Sequence, residues 1–141
     1  MPDGQTLCPM QAPSCEPSPA IPAGQPLVSI VYVTYNQERF AREAIRSVLS
    51  QTYAPLEFII MDDASTDETG TLILTELANH RASARVLYLR NRHNLGAFRN
   101  TEQGLALARG EFIVYFNGDD VMFPEMTAEM VKVWREKTFL L

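Results

Sequence analysis

Three short stretches carry residues able to do chemistry: Thr34-Tyr35-Asn36, Asp62-Asp63-Ala64-Ser65-Thr66-Asp67 and Asn117-Gly118-Asp119-Asp120. Two of them contain adjacent carboxylates, which repel unless a cation or hydrogen-bond donors compensate. Hard oxygen ligands suit Mg²⁺ or Mn²⁺, and Mg²⁺ usually takes one or two carboxylates together with substrate phosphates. A divalent ion at Asp119 and Asp120 could hold a diphosphate, while Asp63 could accept hydrogen bonds from a base or sugar. Plainer readings stand beside these. Carboxylates such as Asp62-Asp63 are favoured near a helix N-terminus, and Asn117-Gly118 is itself a turn signal. Neither G-x-G-x-x-G nor G-x-x-x-x-G-K-[ST] occurs, so phosphate handling falls to a metal rather than to a cradle of backbone amides.

Other reactive residues carry less. His80 and His93 are too isolated for a zinc site, and Ser29 and Ser47 have no Gly-x-Ser-x-Gly context for a nucleophile. Tyr35 and Phe98 could stack on a base, although an aromatic near a strand end is more often core. Arg99 could pair with phosphate bidentately or simply be solvated. Trp134, beside Met130 and Val131, reads as core.

The elements that must position these residues alternate strictly. Leu27–Val33 is a nearly continuous apolar run rich in β-branched residues, as expected for a strand buried on both faces. Phe40, Ala41, Ala44, Ile45, Val48 and Leu49 then recur at helical spacing, with charges on the other side. Leu56–Met61 reads as a second strand. Ser65 and Glu68 have capping-box spacing and open a helix through Leu72, Ile73, Leu77 and Ala78. Arg85–Leu89 is a third strand, followed by a helix from Ala97 to Ala108, with Gly110 as its left-handed stop. Glu111–Phe116 is a fourth strand, and Pro124 opens a last helix toward Lys137. This alternation predicts an α/β fold: a mostly parallel sheet with helices on both faces. All three polar stretches follow a strand, at the edge where such sheets bind ligands.

Composition sets the remaining bounds. The chain has 141 residues, 46% hydrophobic and 21% charged, as in one ordinary globular domain. Its net charge of −5 argues against a nucleic-acid partner. Seven of its nine prolines lie in residues 1–26, which therefore read as a flexible extension that also holds Cys8 and Cys15. That extension contains no Lys or Arg, unlike a secretory signal. No apolar run approaches the roughly 20 residues that span a bilayer. A cytoplasmic protein, free or peripheral to a membrane, is expected.

From about Pro26 to Pro124 the chain resembles the family 2 glycosyltransferases, which have the GT-A fold. Val28–Asn36 looks like that family's opening strand, Ser47–Tyr53 like the end of its first helix, and Asp62–Asp67 like its D-D-x-S-x-D segment. Asn94-Leu95-Gly96, Arg99-Asn100 and Ala108–Ile113 resemble the stretch leading to its metal site. Together these pieces are specific. The resemblance implies a Rossmann-like GT-A half and sugar transfer from a nucleotide-diphosphate donor, most simply of UDP type, to an acceptor hydroxyl with inversion. It places Thr34, Tyr35, Asn36, Glu38, Asp63, Gly96, Arg99 and Asp119 around the donor, and Mg²⁺ or Mn²⁺ at Asp119 and Asp120. The acceptor, a sugar, lipid or protein, stays open.

Two departures from the pattern matter. Asn117 stands where the family often has Asp, so Asp119 and Asp120 must bear the metal. The general base, an Asp or Glu that takes the hydroxyl proton, is expected beyond Leu141. Residues 27–141 therefore read as the donor-binding domain, cut before the acceptor-binding part. Non-catalytic nucleotide-binding or protein-interaction modules remain the alternatives. A receiver-like signalling domain would need an acid pair after the first strand and a later lysine, and a nucleotidyltransferase would need a Gly-rich, Arg-containing signature.

Overall fold

The computed structural model describes residues 24–80 and 84–138. The expected proline-rich extension, with Cys8 and Cys15, lies outside them apart from Gly24–Pro26, as do Phe139–Leu141. The elements run β1 (Val28–Thr34), α1 (Glu38–Leu49), β2 (Leu56–Asp62), α2 (Thr69–Asn79), β3 (Arg85–Arg90), α3 (Ala97–Leu107), β4 (Phe112–Asn117) and α4 (Met126–Thr138). The strands form one parallel sheet in the order β3-β2-β1-β4, bearing out the α/β expectation.

Every residue of β1 and β2 is buried, which explains their unbroken apolar character. The edge strands are burial-mixed. In β4, Val114 and Phe116 point into the core while Ile113 and Tyr115 remain exposed on the opposite face. One face of the sheet (Ile30, Tyr32, Phe58, Ile60, Tyr88, Phe116) packs against Ala41, Ala44, Ile45 and Val48 of α1, Ile73 of α2 and Val131 of α4. Burying a side chain such as Ile45 stabilises by about 1.5–3 kcal/mol. The other face (Val31, Val33, Ile59, Met61, Leu89) is covered by the end of α3. Gly104 lets α3 approach, because a Cβ there would stand 2.6 Å from Val31 Cγ1.

The chain steps outward from β1 to β3, then α3 carries it back across the sheet to β4 on the far side of β1. The strand order therefore reverses between β1 and β4, and open α/β sheets bind ligands at the C-terminal ends of the strands flanking such a reversal.

Several local expectations are corrected. Phe40 is 45% exposed, lying off the α1 stripe with the Arg39 guanidinium 5.8 Å from its ring. Ser65 and Glu68 do not form a capping box. Helix α2 begins at Thr69, whose amide bonds Asp67 Oδ1 at 3.0 Å, while the Ser65 hydroxyl accepts the Asn36 amide. Gly110 is not a left-handed stop, since α3 already ends at Leu107 in extended backbone at Ala108. Space dictates the glycine instead: a Cβ would stand 2.5 Å from the Ser29 amide nitrogen. Pro124 lies two residues ahead of α4, and its carbonyl accepts the Thr52 amide. Tyr35 and Phe98 are exposed rather than core, Phe98 at 81%. Trp134 is partly buried and stacks on Phe112, with ring centroids 4.5 Å apart.

Candidate active site

The rim begins where β1 ends. The buried Thr34 accepts the Asp63 amide on its carbonyl at 2.9 Å and donates its hydroxyl to Gln37 Oε1 at 2.9 Å. Asn36 turns the chain with φ 50°, a conformation Asn tolerates better than most residues. Its amide donates to Ser65 Oγ at 3.0 Å, and its Oδ1 accepts the Thr66 amide at 2.7 Å. Glu38 continues the lacing: its amide donates to Asp67 Oδ2 and its carboxylate accepts the Glu68 amide at 3.1 Å. Burial alone would raise the Asp67 carboxyl, but bonds from the Thr69 hydroxyl and amide and from the Glu38 amide hold it below the usual carboxylate range. The loops after β1 and β2 thus form one hydrogen-bonded unit.

The first carboxylate pair divides across the sheet. Asp62 is fully buried, accepting the Ser65 amide at 2.9 Å and the Tyr88 hydroxyl at 3.0 Å, with Arg90 Nε 3.8 Å away. Burial and the Asp62 charge push the Tyr88 phenol well above its ordinary value. Asp63 faces the other way. Its Oδ1 accepts Asn91 Nδ2 at 2.8 Å and the Leu95 amide at 2.9 Å, and its Oδ2 accepts the Gly96 amide at 2.9 Å. A carboxylate offers about four acceptor directions, and in the buried Asp63 three of them are taken by these protein donors. Gly96 itself has φ 88° and ψ 153°, a region essentially reserved for glycine.

The second pair follows β4. The Asp120 amide donates to the Asn117 carbonyl at 3.2 Å, closing the turn. The buried Gly118 sits so close to the β1 end that a Cβ would overlap the Gln37 carboxamide and stand 2.7 Å from Thr34 Oγ1. Beneath it, the Tyr32 hydroxyl donates to the Gly118 carbonyl at 3.2 Å. Asp119 and Asp120 are both exposed, and neither carboxylate has a hydrogen bond or ion pair among the described residues.

Those two free carboxylates fit a divalent cation shared with phosphate oxygens. No group of three His, Cys, Asp or Glu able to cage an ion exists among the described residues. The donor set therefore suits an ion whose remaining ligands come from substrate and water. Arg99 is exposed on the first turn of α3, bordering an open hollow of about 360 Å³ with Leu95, Glu102, Gln103 and Ala106 on the outer side of that helix.

The structure thus joins Thr34, Asn36 and Glu38 to the Asp63 segment, Asp63 to Gly96, and the Asp119 turn to Thr34 through Gly118. Tyr35 projects into solvent beside them. Residues that the sequence reading did not assign to the site do much of the positioning. Asn91 donates to Asn100 Oδ1 as well as to Asp63, and Asn100 Nδ2 donates to the Met61 carbonyl. Gln51 donates to the Phe123 carbonyl at 2.7 Å and accepts the Thr127 amide and hydroxyl, while Ser47 Oγ accepts the Met122 amide. These bonds tether the segment after the acid pair to the end of α1.

Residues 29–140 match the family described as Glycosyl transferase family 2. The chain belongs to that family. Among its family 2 relatives, the glycosyltransferase EpsJ of Bacillus subtilis is 39% identical over 108 residues, 74% of this chain and 30% of EpsJ. The glycosyltransferase GlyG of Streptococcus pneumoniae is 31% identical over 111 residues, 79% of this chain and 36% of GlyG. The chain therefore spans about a third of the length of such relatives. The fold matches S. aureus TarS, solved as residues 1–349 in complex with UDP-GlcNAc, with a TM-score of 0.68 at 25% identity. That match covers 79% of this chain and 32% of the 1–349 chain. A mannosyltransferase of Pyrobaculum calidifontis, solved with GDP-Man and Mn2+, shares the fold with a TM-score of 0.67 at 23% identity. The family 2 chain thus has the GT-A arrangement.

Proposed function

We propose that this chain is the donor-binding part of an inverting glycosyltransferase that uses a nucleotide-diphospho-sugar, with UDP as the nucleotide. The observation that carries the reading is the pair of carboxylates, Asp119 and Asp120, without partners among the described residues, on a turn seated against the end of β1 where the strand order reverses. The UDP-GlcNAc complex of TarS supports the choice of donor.

In this reading Thr34, Asn36, Glu38 and the Leu95–Gly96 segment ordered by Asp63 wall the nucleotide. Tyr35 offers a ring for stacking. Asp119 and Asp120 would hold Mg²⁺ or Mn²⁺, which when bound supplies Lewis-acid neutralisation of the leaving diphosphate. The acceptor hydroxyl oxygen forms a bond to the anomeric carbon from the face opposite the diphosphate. The carbon–oxygen bond to the diphosphate breaks, and the hydroxyl proton passes to a carboxylate base in polypeptide following the segment described here. A cytoplasmic site of action belongs to the same proposal; no helix among the described residues is long and apolar enough to cross a membrane.

Calorimetric titration with UDP, with and without Mn²⁺, tests the reading. Binding that strengthens with Mn²⁺ in the native chain and not in Asp120→Ala supports it, and an absence of metal-dependent heat in the native chain rejects it. The second reading, a non-catalytic interaction module, draws on the exposed Ile113 and Tyr115 beside the outer edge of β4. Concentration-dependent elution on size exclusion without UDP binding would favour it.

A further inference from the structure

We propose that Tyr32 is a positioning residue for the acid pair: its hydroxyl, by holding the Gly118 carbonyl from beneath, fixes the height at which Asp119 and Asp120 meet a divalent cation. The inference rests on the metal-assisted donor-binding reading above and adds a residue to it.

Tyr32 is a bulky polar side chain in the middle of a strand otherwise made of small and aliphatic residues. It is completely inaccessible, so it touches no ligand directly. Its ring is wedged between Phe58, edge-on at 6.2 Å between centroids, and Phe116 at 5.7 Å. With the ring fixed in this way, the hydroxyl has little freedom to follow a moving partner. It ends at the Gly118 carbonyl, one residue before Asp119. Burial first, with the charges of Asp62 and Asp119 adding to it and a bond with Thr34 opposing, pushes the phenol up to about 12. The group therefore remains a donor across the physiological range.

The same glycine also lies close to the end of β1, where a Cβ would overlap the Gln37 carboxamide and stand 2.7 Å from Thr34 Oγ1. Gln37 is in turn fixed by the Thr34 hydroxyl and by its own amide bond to Thr69 Oγ1 at 2.8 Å. Gly118 is thus clamped by a core phenol together with the loop assigned to the nucleotide. The acid pair has no other side-chain support among the described residues, so its placement depends on this clamp. A divalent ion held by Asp119 and Asp120 would be sensitive to displacements well under 1 Å, since Mg²⁺ oxygen distances are held near about 2.0–2.1 Å.

The test uses Tyr32→Phe in the 141-residue chain, which keeps the ring and removes the donor. UDP affinity is measured by calorimetry with and without Mn²⁺, and the broadening of the Asp119 and Asp120 amide resonances by Mn²⁺ is followed by NMR. The expected result is unchanged metal-free UDP affinity, a loss of about five-fold in the Mn²⁺-dependent gain, the scale of one hydrogen bond, and weaker broadening. A gain retained in full overturns the proposal, and so does an equal loss with and without metal. Should Tyr32→Phe not fold, Gly118→Ala displaces the same turn from the Gln37 side and must reduce the gain likewise; full retention there overturns the proposal. A wild-type chain without any Mn²⁺-dependent gain overturns the donor-site reading itself, and this inference with it.

Discussion

Asp62 and Asp63 are consecutive in the chain, yet their carboxylates leave opposite faces of the sheet. Asp62 accepts the Tyr88 hydroxyl on the α2 side, and Asp63 accepts the Gly96 amide at the start of α3. The pleat of β2 enforces this divergence. It removes the repulsion that two neighbouring acids would otherwise suffer, and it lets one dipeptide order two separate loops.

Asp63→Asn should therefore destabilise the protein by about 1.5–3 kcal/mol, because three donors converge on a charged acceptor and one would now face an amide NH₂. Urea denaturation measures the cost. Hydrogen exchange should quicken at Leu95 and Gly96 before other sites, and uniform quickening would argue against a local role.

Gly96→Ala isolates a backbone effect. Nothing lies within 4 Å of a Cβ there, so the expected loss of about 1–3 kcal/mol comes from φ 88° and ψ 153° alone. Gly96→Asn should not restore stability, because this conformation lies outside the left-handed helical region that Asn tolerates. Equal stability of the alanine variant and wild type in thermal melts would contradict the assigned backbone geometry.

Asp119→Asn and Asp120→Asn should leave stability within about 0.5 kcal/mol of wild type, since neither exposed carboxylate has a partner to lose among the described residues. Both should lose Mn²⁺-dependent UDP binding. A large drop in melting temperature would show that these acids serve the scaffold.

Glu76 supplies a pH prediction. It is buried, accepts Arg46 Nε at 2.7 Å and Arg46 Nη2 at 3.2 Å, and lies 3.5 Å from Arg42 Nε. The Arg46 bonds hold its carboxyl below the usual range against the opposing effect of burial. A depressed folded-state pKa gives stability that is complete above the unfolded value, about 4.3 for Glu, and is lost as pH falls through the folded value. Glu76→Gln should cost about 1–2 kcal/mol at pH 7, a modest figure because both arginines are half exposed. The gap to wild type should narrow below about pH 4. A gap that stays constant with pH would sink this account.

Much of the sheet was legible because burial on both faces leaves a pattern that few alternatives imitate, as in Val28–Thr34 and Leu56–Asp62. The acid stretches could be placed at strand ends for the same reason. What hid from the sequence were the long-range polar partners. Glu57 is buried with the Ser29 hydroxyl at 2.8 Å, Arg85 Nη1 at 2.6 Å and the Arg109 amide at 2.9 Å. Glutamate is by default a surface residue, so nothing local to Glu57 or Glu76 signals burial. Ser65 misled for a related reason: its spacing to Glu68 suits a cap, but Asn36, 29 residues earlier, takes the hydroxyl.

The lacing between the β1 and β2 loops also constrains redesign. Asn36 and Glu38 each exchange bonds with the stretch from Ser65 to Glu68, in both directions. Transplanting either loop from a sister enzyme by itself would strand donors and acceptors on the recipient, whereas a paired graft keeps them matched. Residues 34–38 and 62–69 behave as a single exchangeable cassette.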